Sequence, residues 1–218
     1  MALPRPPGPD GVVLVHGLWT NRVVLGLLAR RLRRAGFAPA LFGYASRFGN
    51  HERNVERLAA FIGRLPCVRL HVVAHSLGGL LALEALGRRP DPRLRRLVLL
   101  GTPVQGSHAA AHVLERRWGR VYGGSTVALL ARSHASAVRQ DLELGVVAGS
   151  FPMGLGRIVS GFREPNDGTV LVREAQHPQA TDTVVLPVSH TGLLFSARVA
   201  AEVEHFLRHG RFASRQQV

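Results

Sequence analysis

The residues best suited to chemistry surround Ser76, which stands at the end of an apolar run. Small residues flank this serine in the stretch Val72-Val73-Ala74-His75-Ser76-Leu77-Gly78-Gly79, and a helical pattern rich in alanine and leucine follows at once. A chain that turns sharply from a buried strand into a helix exposes the hydroxyl at the turn, and large side chains two positions before or after it would collide. The spacing therefore predicts that Ser76 is a nucleophile. Ala74 occupies the first small position, where it adds one methyl group relative to glycine.

A nucleophilic serine needs a base, and we expect that base in a loop after a late strand. His190 has this position, after the apolar residues 184–188 and before the last helical pattern; a structural histidine is the alternative. His75 is expected to project from the opposite side of the serine turn and to pack. The other histidines considered lack a preceding strand, lie at the last helix, or could line the pocket: His177; His205 and His209; His16.

The acid that orients the base is expected between residue 148 and His190. Asp167 lies there in the turn Glu164-Pro165-Asn166-Asp167-Gly168-Thr169-Val170, and such turns direct a side chain out of a loop. It would hold His190 in the tautomer that accepts the serine proton and would stabilise the imidazolium. Glu164 and Asp182 are competing candidates, the latter close to the start of the last strand. A purely turn-forming aspartate is the alternative.

Two backbone amides are candidates for an oxyanion hole. The first apolar run leads into His16-Gly17-Leu18-Trp19, where a glycine lets the backbone approach a reacting centre and leaves the N–H of Leu18 available. The second candidate is the N–H of Leu77, at the start of a helix where amides lack intrahelical partners. An ordinary strand-to-helix turn is the alternative for His16-Gly17.

Short apolar runs alternate with helical patterns along the whole chain. Unbroken apolar strands separated by helices indicate a parallel sheet covered on both faces, hence a doubly wound, mostly parallel α/β domain of about six strands. Ser76 then lies at the carboxyl end of a strand, where ligands bind in such sheets. The predicted strands are residues 11–15, 38–44, 70–74, 97–100, 144–148 and 183–188, and the predicted helices are 23–35, 52–64, 77–86 and 193–208.

The length of 218 residues suits one domain. We expect an N-terminal extension at 1–10, a catalytic domain at 11–210 and a tail at 211–218. Residues 102–140, of mixed pattern with a candidate helix at 109–118, form a candidate lid or covering segment. The proline-rich N-terminus lacks the apolar core of a signal peptide, no apolar run is long enough to span a membrane, and Cys67 is the single cysteine. These features predict a cytoplasmic protein.

The formal net charge of +14 comes entirely from arginine, since the sequence contains no lysine. Arginines cluster at predicted helix ends and in loops, where cations favour the negative end of the helix dipole. A solvated face is the favoured interpretation, and weak contact with an anionic membrane surface is the second. No nucleic-acid motif accompanies the charge, so nucleic-acid binding is not expected. The clusters are Arg30, Arg31, Arg33 and Arg34, and Arg88, Arg89, Arg93, Arg95 and Arg96.

Several motifs in order resemble the α/β-hydrolase superfamily, and within it the small bacterial lipases and esterases. The resemblance spans residues 11 to about 208 and implies a minimal α/β-hydrolase fold in which Ser76, Asp167 and His190 act as nucleophile, acid and base. By this resemblance the chain is expected to start at the family's third strand, without the usual first hairpin, and residues 151–161 together with 102–140 are expected to replace any large cap. The motifs are Val12-Val13-Leu14-Val15-His16-Gly17, Ala74-His75-Ser76-Leu77-Gly78-Gly79, Leu100-Gly101-Thr102-Pro103, Asp167-Gly168-Thr169-Val170 and Val188-Ser189-His190-Thr191-Gly192-Leu193-Leu194.

The sequence thus predicts a serine hydrolase of carboxylic esters that acts through an acyl-enzyme on a lipid-like or small acyl ester. A thioesterase or acyltransferase with the same triad is one alternative, and a non-catalytic lipid- or protein-binding relative is another. Neither metal-ligand spacing nor a phosphate-binding loop occurs, so no cofactor or metal is expected. Leu18, Trp19 and Leu193 are candidates for substrate binding, although core packing explains them equally well. The same holds for Phe151, Met153, Leu155 and Leu194.

Overall fold

Six parallel strands form a single sheet in the order β2-β1-β3-β4-β5-β6. The computed structural model describes residues 8–47, 49–115, 126–134, 138–153 and 163–214. The predicted doubly wound α/β architecture is confirmed, with helices on both faces of this sheet. The strands are β1 Gly11–Val15, β2 Ala38–Phe42, β3 Leu70–His75, β4 Leu94–Leu100, β5 Glu143–Gly149 and β6 Asp182–Leu186.

Polar side chains fix several helix starts. The side chains of Asn21, Asn50 and Ser196 accept hydrogen bonds from backbone amides two or three residues ahead, which satisfies donors that have no intrahelical partner. Gly210 ends the last helix in the left-handed conformation, at φ 72°. The helices are α1 Gly26–Arg34 after a 3₁₀ turn at Arg22–Leu25, α2 His51–Gly63, α3 Leu77–Arg88, α4 His108–Glu115, α5 Val172–Ala175, α6 Gly192–Phe195 and α7 Ala197–His209.

The apolar runs bury both faces of the sheet because neighbouring side chains of a strand point in opposite directions. In β1, Val12 and Leu14 pack in the core under α1 and α7, whereas Val13 and Val15 pack in the core under α2 and α3. All four are fully buried. This double coverage explains why the strands are continuously apolar rather than alternating.

The sheet brings several strand ends to one place. The chain runs from β1 outwards to β2 and then returns to β3 on the other side of β1, so the switch in direction falls between β1 and β3. Val15 pairs with Ala74, and His75 pairs with Leu100. The loops that follow β1, β3 and β4 therefore emerge side by side, at the edge where ligands bind in open parallel sheets.

Some element boundaries differ from the predictions. Strand β4 starts at Leu94 rather than at residue 97. Arg96 is accommodated within the strand because it forms an ion pair with Glu143 of β5 at 2.7 Å. The last helix is interrupted at Ser196, whose side chain caps α7. Strand β6 ends at Leu186, and β2 ends at Phe42. The candidate helix at 109–118 is found as α4, and its last three residues lie outside the described ones.

The predicted terminal segments are described only in part, because residues 1–7 and 215–218 lie outside the described residues, as do parts of 102–140. Over the ranges that are described, no helix is both long and apolar enough to cross a bilayer.

Candidate active site

Ser76 occupies a strained turn between β3 and α3. Its backbone has φ 53° and ψ −125°, and only Trp19 shares a positive φ among the described non-glycine residues. A non-glycine residue in this region costs about 1–3 kcal/mol and needs support from its surroundings. Ser76 N donates to Leu100 O at 2.9 Å, and Ser76 O accepts from Gly79 N at 2.9 Å. The turn is thus fixed to β4 on one side and to α3 on the other.

The two glycines after the serine allow the first turn of α3 to touch neighbouring strand ends. A Cβ atom on Gly78 would lie 2.3 Å from His16 O, and one on Gly79 would lie 2.0 Å from Thr102 Oγ1. Real Cβ atoms do not approach so closely. The spacing of small residues around Ser76 therefore has a specific steric cause, which is the close packing of α3 against the ends of β1 and β4.

Asp167, which is buried, and His190, which is partly exposed, form a hydrogen-bonded pair beside this turn. His190 Nδ1 donates to Asp167 Oδ2 at 2.7 Å, and His190 N donates to Asp167 O at 2.8 Å. The other carboxylate oxygen, Oδ1, accepts from the amides of Thr169 and Val170 at 2.9 and 2.8 Å. Asp167 is 1% exposed. The carboxylate thus forms the turn and holds a proton on His190 Nδ1, which leaves Nε2 able to accept another.

Two glycines at strand ends make room for the pair. Gly101 follows β4 with φ 53°, and its Cβ atom would lie 3.1 Å from both Asp167 Oδ2 and His190 Nδ1. A Cβ atom on Gly149, the last residue of β5, would lie 2.7 Å from Asp167 Cβ. Sequence reasoning did not assign these glycines a role, although each stands directly at the end of a predicted apolar strand.

The backbone amides of Leu18 and Leu77 are oriented by the carbonyls that precede them. Gly17 O accepts from Thr20 Oγ1 and from His16 Nδ1, both at 2.9 Å, and Ser76 O accepts from Gly79 N. Because the N–H of a trans peptide points opposite to its C=O, the N–H groups of Leu18 and Leu77 are directed away from these bonds. Neither donates a hydrogen bond to any described group. Such free, oriented amides can stabilise an oxyanion.

Gly17 also brings this loop against the serine. Its Cβ atom would lie 3.0 Å from Ser76 Cβ and 2.9 Å from His75 Nδ1. Any side chain at this position would therefore separate the loop that carries Leu18 N–H from the serine turn.

Tyr44, which the sequence analysis did not consider, supports the same loop. Its hydroxyl donates to His16 O at 2.9 Å, and its ring stacks on the His16 imidazole with centroids 4.4 Å apart. Burial lowers the pKa of His16 and raises the pKa of Tyr44, so the first stays neutral and the second stays a donor. His16 is fully buried, so its side chain does not face solvent. An aromatic residue at the end of a predicted strand was the available signal.

His75 is buried as expected, but its side chain lies against His190 rather than on the far side of the turn. His75 Nε2 donates to His190 O at 3.0 Å, and the two rings have centroids 4.6 Å apart at an angle of 47°. Burial, followed by the proximity of His190, keeps the pKa of His75 well below its ordinary value. The imidazole is therefore neutral.

The competing acids lie elsewhere. Asp182 is the first residue of β6, so it lies at the amino-terminal ends of the strands, opposite to the candidate site. There it accepts a hydrogen bond from Phe212 N at 2.7 Å. Glu164 is more than half exposed and pairs with Arg173 at 2.9 Å. Of the other histidines, His205 lies on α7 and bonds to Arg211 O, and His177 is buried in the loop after α5.

The candidate substrate residues differ in their access to solvent. Trp19 is 65% exposed and borders an open cavity of about 480 Å³ beside the loop after β1. Leu18 is half-buried and packs at the edge of a small apolar cluster with Leu77. Leu193 is fully buried in the core and touches the position above Gly101, so its side chain does not reach solvent. Phe151 and Met153 are exposed, Leu194 is buried, and Leu155 lies outside the described residues.

The described parts of residues 102–140 cover the start of α3. Ala110 of α4 packs with Val127 and Leu130 against Leu77 and Leu80. The segment is also tied to α5, because the buried carboxylate of Glu174 accepts from His108 N at 2.7 Å. These contacts place the segment next to the serine turn. In the described ranges, no three His, Cys, Asp or Glu side chains gather into a site for a metal ion.

Apolar and cationic side chains are exposed on the 3₁₀ turn Arg22–Leu25, on α1 and on α6. Val23, Leu27 and Phe195 are 76%, 38% and 44% exposed, respectively. Arg30 and Arg34 are exposed one and two turns after Leu27, and among the described residues neither takes part in an ion pair. We call these five residues the α1 surface.

The second arginine cluster differs from the α1 surface in having acidic partners. Arg88 pairs with Glu52 and Glu84, and Arg93 pairs with Asp91 at 2.6 Å.

Comparison with known proteins identifies the fold family. The sequence profile described as "Alpha/beta hydrolase family" matches residues 12–201. A search of the curated proteins finds no match. Among solved structures, the chain is similar to the mature form of the Bacillus licheniformis lipase BlEst2, with a TM-score of 0.73 and 21% identity over 95% of this chain and 94% of that chain.

Two further structures have the same fold. The metagenomic carboxyl esterase MGS0156 has a TM-score of 0.68 and 20% identity over 85% of this chain and 65% of that one. Tomato methylketone synthase I has a TM-score of 0.61 and 11% identity over 93% of this chain and 99% of that one. At these identities the likeness to solved structures concerns the fold alone. The profile match covers most of the chain, and we conclude that the protein belongs to the alpha/beta hydrolase family.

Proposed function

We propose that the protein is a serine hydrolase of carboxylic esters. In this proposal Ser76 is the nucleophile, His190 the base and Asp167 the residue that orients the base. The amides of Leu18 and Leu77 form the oxyanion hole.

The observation that carries the proposal is the 2.7 Å hydrogen bond from His190 Nδ1 to Asp167 Oδ2 beside the strained turn of Ser76. A pair that only stabilised a loop would not need a serine in a costly backbone conformation at the same sheet edge. The two free amides are the donors that acyl transfer requires. Likeness to a lipase and an esterase adds support for an ester substrate.

The chemistry follows from these positions. Ser76 Oγ attacks the carbonyl carbon of the ester while His190 Nε2 takes the hydroxyl proton, and the carbonyl oxygen becomes an oxyanion held by the two amides. The intermediate collapses to an acyl-serine, and the departing alcohol takes the proton from His190. A water molecule then attacks the acyl carbon with His190 as base, which releases the carboxylic acid and restores the serine.

The surroundings favour a lipid-like or small acyl ester. Leu18, Trp19, Phe151 and Met153 present apolar surface at or near the loops that follow β1 and β5, and the described residues leave the cavity beside Trp19 open. Exposed apolar side chains beside an open approach suit the binding of an acyl chain.

The test is the hydrolysis of short p-nitrophenyl esters together with labelling by a fluorophosphonate probe. We expect that the parent protein hydrolyses the esters and is labelled once, and that Ser76→Ala loses both properties. Ser196→Ala is the matched control, because it removes a serine that caps α7 away from the site; it should cost about 1 kcal/mol of stability and leave activity unchanged. Hydrolysis retained by Ser76→Ala would refute the proposal, and so would a parent protein that the probe does not label. Matched thioesters and acyl acceptors in the same assay separate hydrolysis of oxygen esters from thioester hydrolysis and acyl transfer.

A further inference from the structure

His75 contacts three segments of the site at once. It is joined to Ser76 by the peptide bond, and it donates from Nε2 to His190 O at 3.0 Å. Its Nδ1 lies 2.9 Å from the place where a side chain on Gly17 would begin. The side chain is 5% exposed. One rigid imidazole thus lies between the serine turn, the loop of the base and the loop of the first oxyanion amide.

The contact with His190 completes the anchoring of that residue. Asp167 accepts hydrogen bonds from the backbone N–H and from Nδ1 of His190. His75 donates a hydrogen bond to the backbone carbonyl of His190. The His75 ring also packs against the His190 ring, with centroids 4.6 Å apart. Without His75, both remaining polar anchors of the base would come from Asp167 alone, and neither connects the base to the serine turn.

We propose that His75 is a positioning residue, which fixes the distance between the base His190 and the nucleophile Ser76 through its hydrogen bond and ring contact. The inference rests on the proposed function and adds to it. A bond from the residue adjacent to Ser76 transmits the position of the turn directly to the base. Small errors in such a distance reduce turnover strongly, because displacements of about 1 Å can cost about 100-fold in rate.

The same strand offers a matched control in His71. His71 and His75 are both buried, both have an Nδ1 atom without a hydrogen-bond partner among the described groups, and both lie on the same face of β3. Four residues separate them, which is about 13 Å along a strand. His71 forms a hydrogen bond to Asp10 at 3.4 Å near the other end of β3. It is therefore a buried histidine that contributes to stability but does not contact the base.

The experiment compares His75→Phe, His75→Gln and His71→Phe with the parent. Phenylalanine keeps the ring contact but cannot donate, whereas glutamine places an amide donor near the position of Nε2. For His75→Phe we expect kcat to fall by about tenfold or more with KM changed by less than about twofold, and the rate of fluorophosphonate labelling to fall in parallel. His75→Gln should recover kcat to within about threefold of the parent, because the donor is restored. His71→Phe should lower the melting temperature without changing kcat.

Three results would overturn the inference. They are an unchanged kcat in His75→Phe, an equal loss of kcat in His71→Phe, and a His75→Gln variant no more active than His75→Phe. If His75→Phe does not fold, His75→Asn takes its place: its shorter amide cannot reach the carbonyl, so it must be less active than His75→Gln for the inference to stand. Ser76→Ala in the same assay separates the two proposals, because hydrolysis that does not need Ser76 refutes the proposed function directly.

Discussion

Replacement of Asp167 by asparagine would separate the two roles of this carboxylate. Oδ1 accepts the amides of Thr169 and Val170, whereas Oδ2 accepts His190 Nδ1. An asparagine preserves the turn only when its carbonyl oxygen takes the place of Oδ1, because an NH₂ group cannot accept hydrogen bonds. The NH₂ group then faces His190 Nδ1 and donates to it. The imidazole proton moves to Nε2, which in the proposed mechanism can then no longer accept the proton of Ser76.

The size of the effect follows from the hydrogen bonds at stake. Turning the amide of Asn the other way would break both bonds to Oδ1 and leave the amides of Thr169 and Val170 without acceptors, at about 1–3 kcal/mol each. The unproductive tautomer is therefore favoured. We expect Asp167→Asn to lower kcat by about 10³–10⁴, which corresponds to about 4–5.5 kcal/mol in the barrier. The melting temperature should change little, because the turn is kept.

The assay is the kcat for a short p-nitrophenyl ester, measured together with thermal unfolding. Asp167→Ala should lose activity to a similar degree and also lose stability, since it removes the acceptor of both turn amides. Asp182→Asn is the matched control, because Asp182 also accepts two backbone amides, at the opposite edge of the sheet; its kcat should equal that of the parent. An Asp167→Asn variant that keeps more than about a tenth of the parent kcat would refute the assignment of Asp167 as the orienting acid.

Two further predictions concern the space around the pair and the α1 surface. Gly101→Ala should reduce kcat by at least about tenfold, because its methyl group would meet the Asp167 carboxylate and the His190 imidazole at 3.1 Å. A positive φ is also strained with any side chain. The control is Gly87→Ala in α3, whose methyl group would meet nothing within 4 Å; this variant should keep full kcat and a melting temperature no lower than the parent's. Full activity in Gly101→Ala would show that the pair does not need this space. The α1 surface should bind vesicles that contain anionic lipid, and this binding should weaken as salt increases. The double variant Arg30→Gln/Arg34→Gln should sediment less with such vesicles than the parent does. Neutral vesicles should bind both the parent and the double variant poorly. Equal binding of the parent and the double variant to anionic vesicles would exclude the α1 surface as the site of membrane contact.

Most of the fold could be predicted from the sequence because its strands are buried on both faces. A run such as Gly11-Val12-Val13-Leu14-Val15 has no polar residue at any position, so the prediction does not depend on register or on long-range contacts. The start of β4 was missed because it depends on a distant partner. Arg96 lies within β4 because Glu143 of the neighbouring strand neutralises it, and no local pattern contains that pairing.

The geometry of the candidate site was predictable where it is local. The turn of Ser76 requires small neighbours, and Asp167 lies in a turn that the residues next to it in the sequence predict. The position of His75 was not predictable in the same way, since its partner His190 is 115 residues away. Gly101 and Gly149 were overlooked for the same reason, because the pair for which they leave room comes from loops after other strands.

The bonded carbonyls of Gly17 and Ser76 have a consequence for the energetics of turnover. In the proposed mechanism the dipoles that receive the developing charge are already aligned in the resting protein, so little reorganisation energy is added when the tetrahedral species forms. The free energy needed to hold two peptide units in this orientation is supplied during folding, by Thr20, His16 and Gly79. A change at Thr20 should therefore slow the chemical step while leaving the affinity for the ground-state ester almost unaltered.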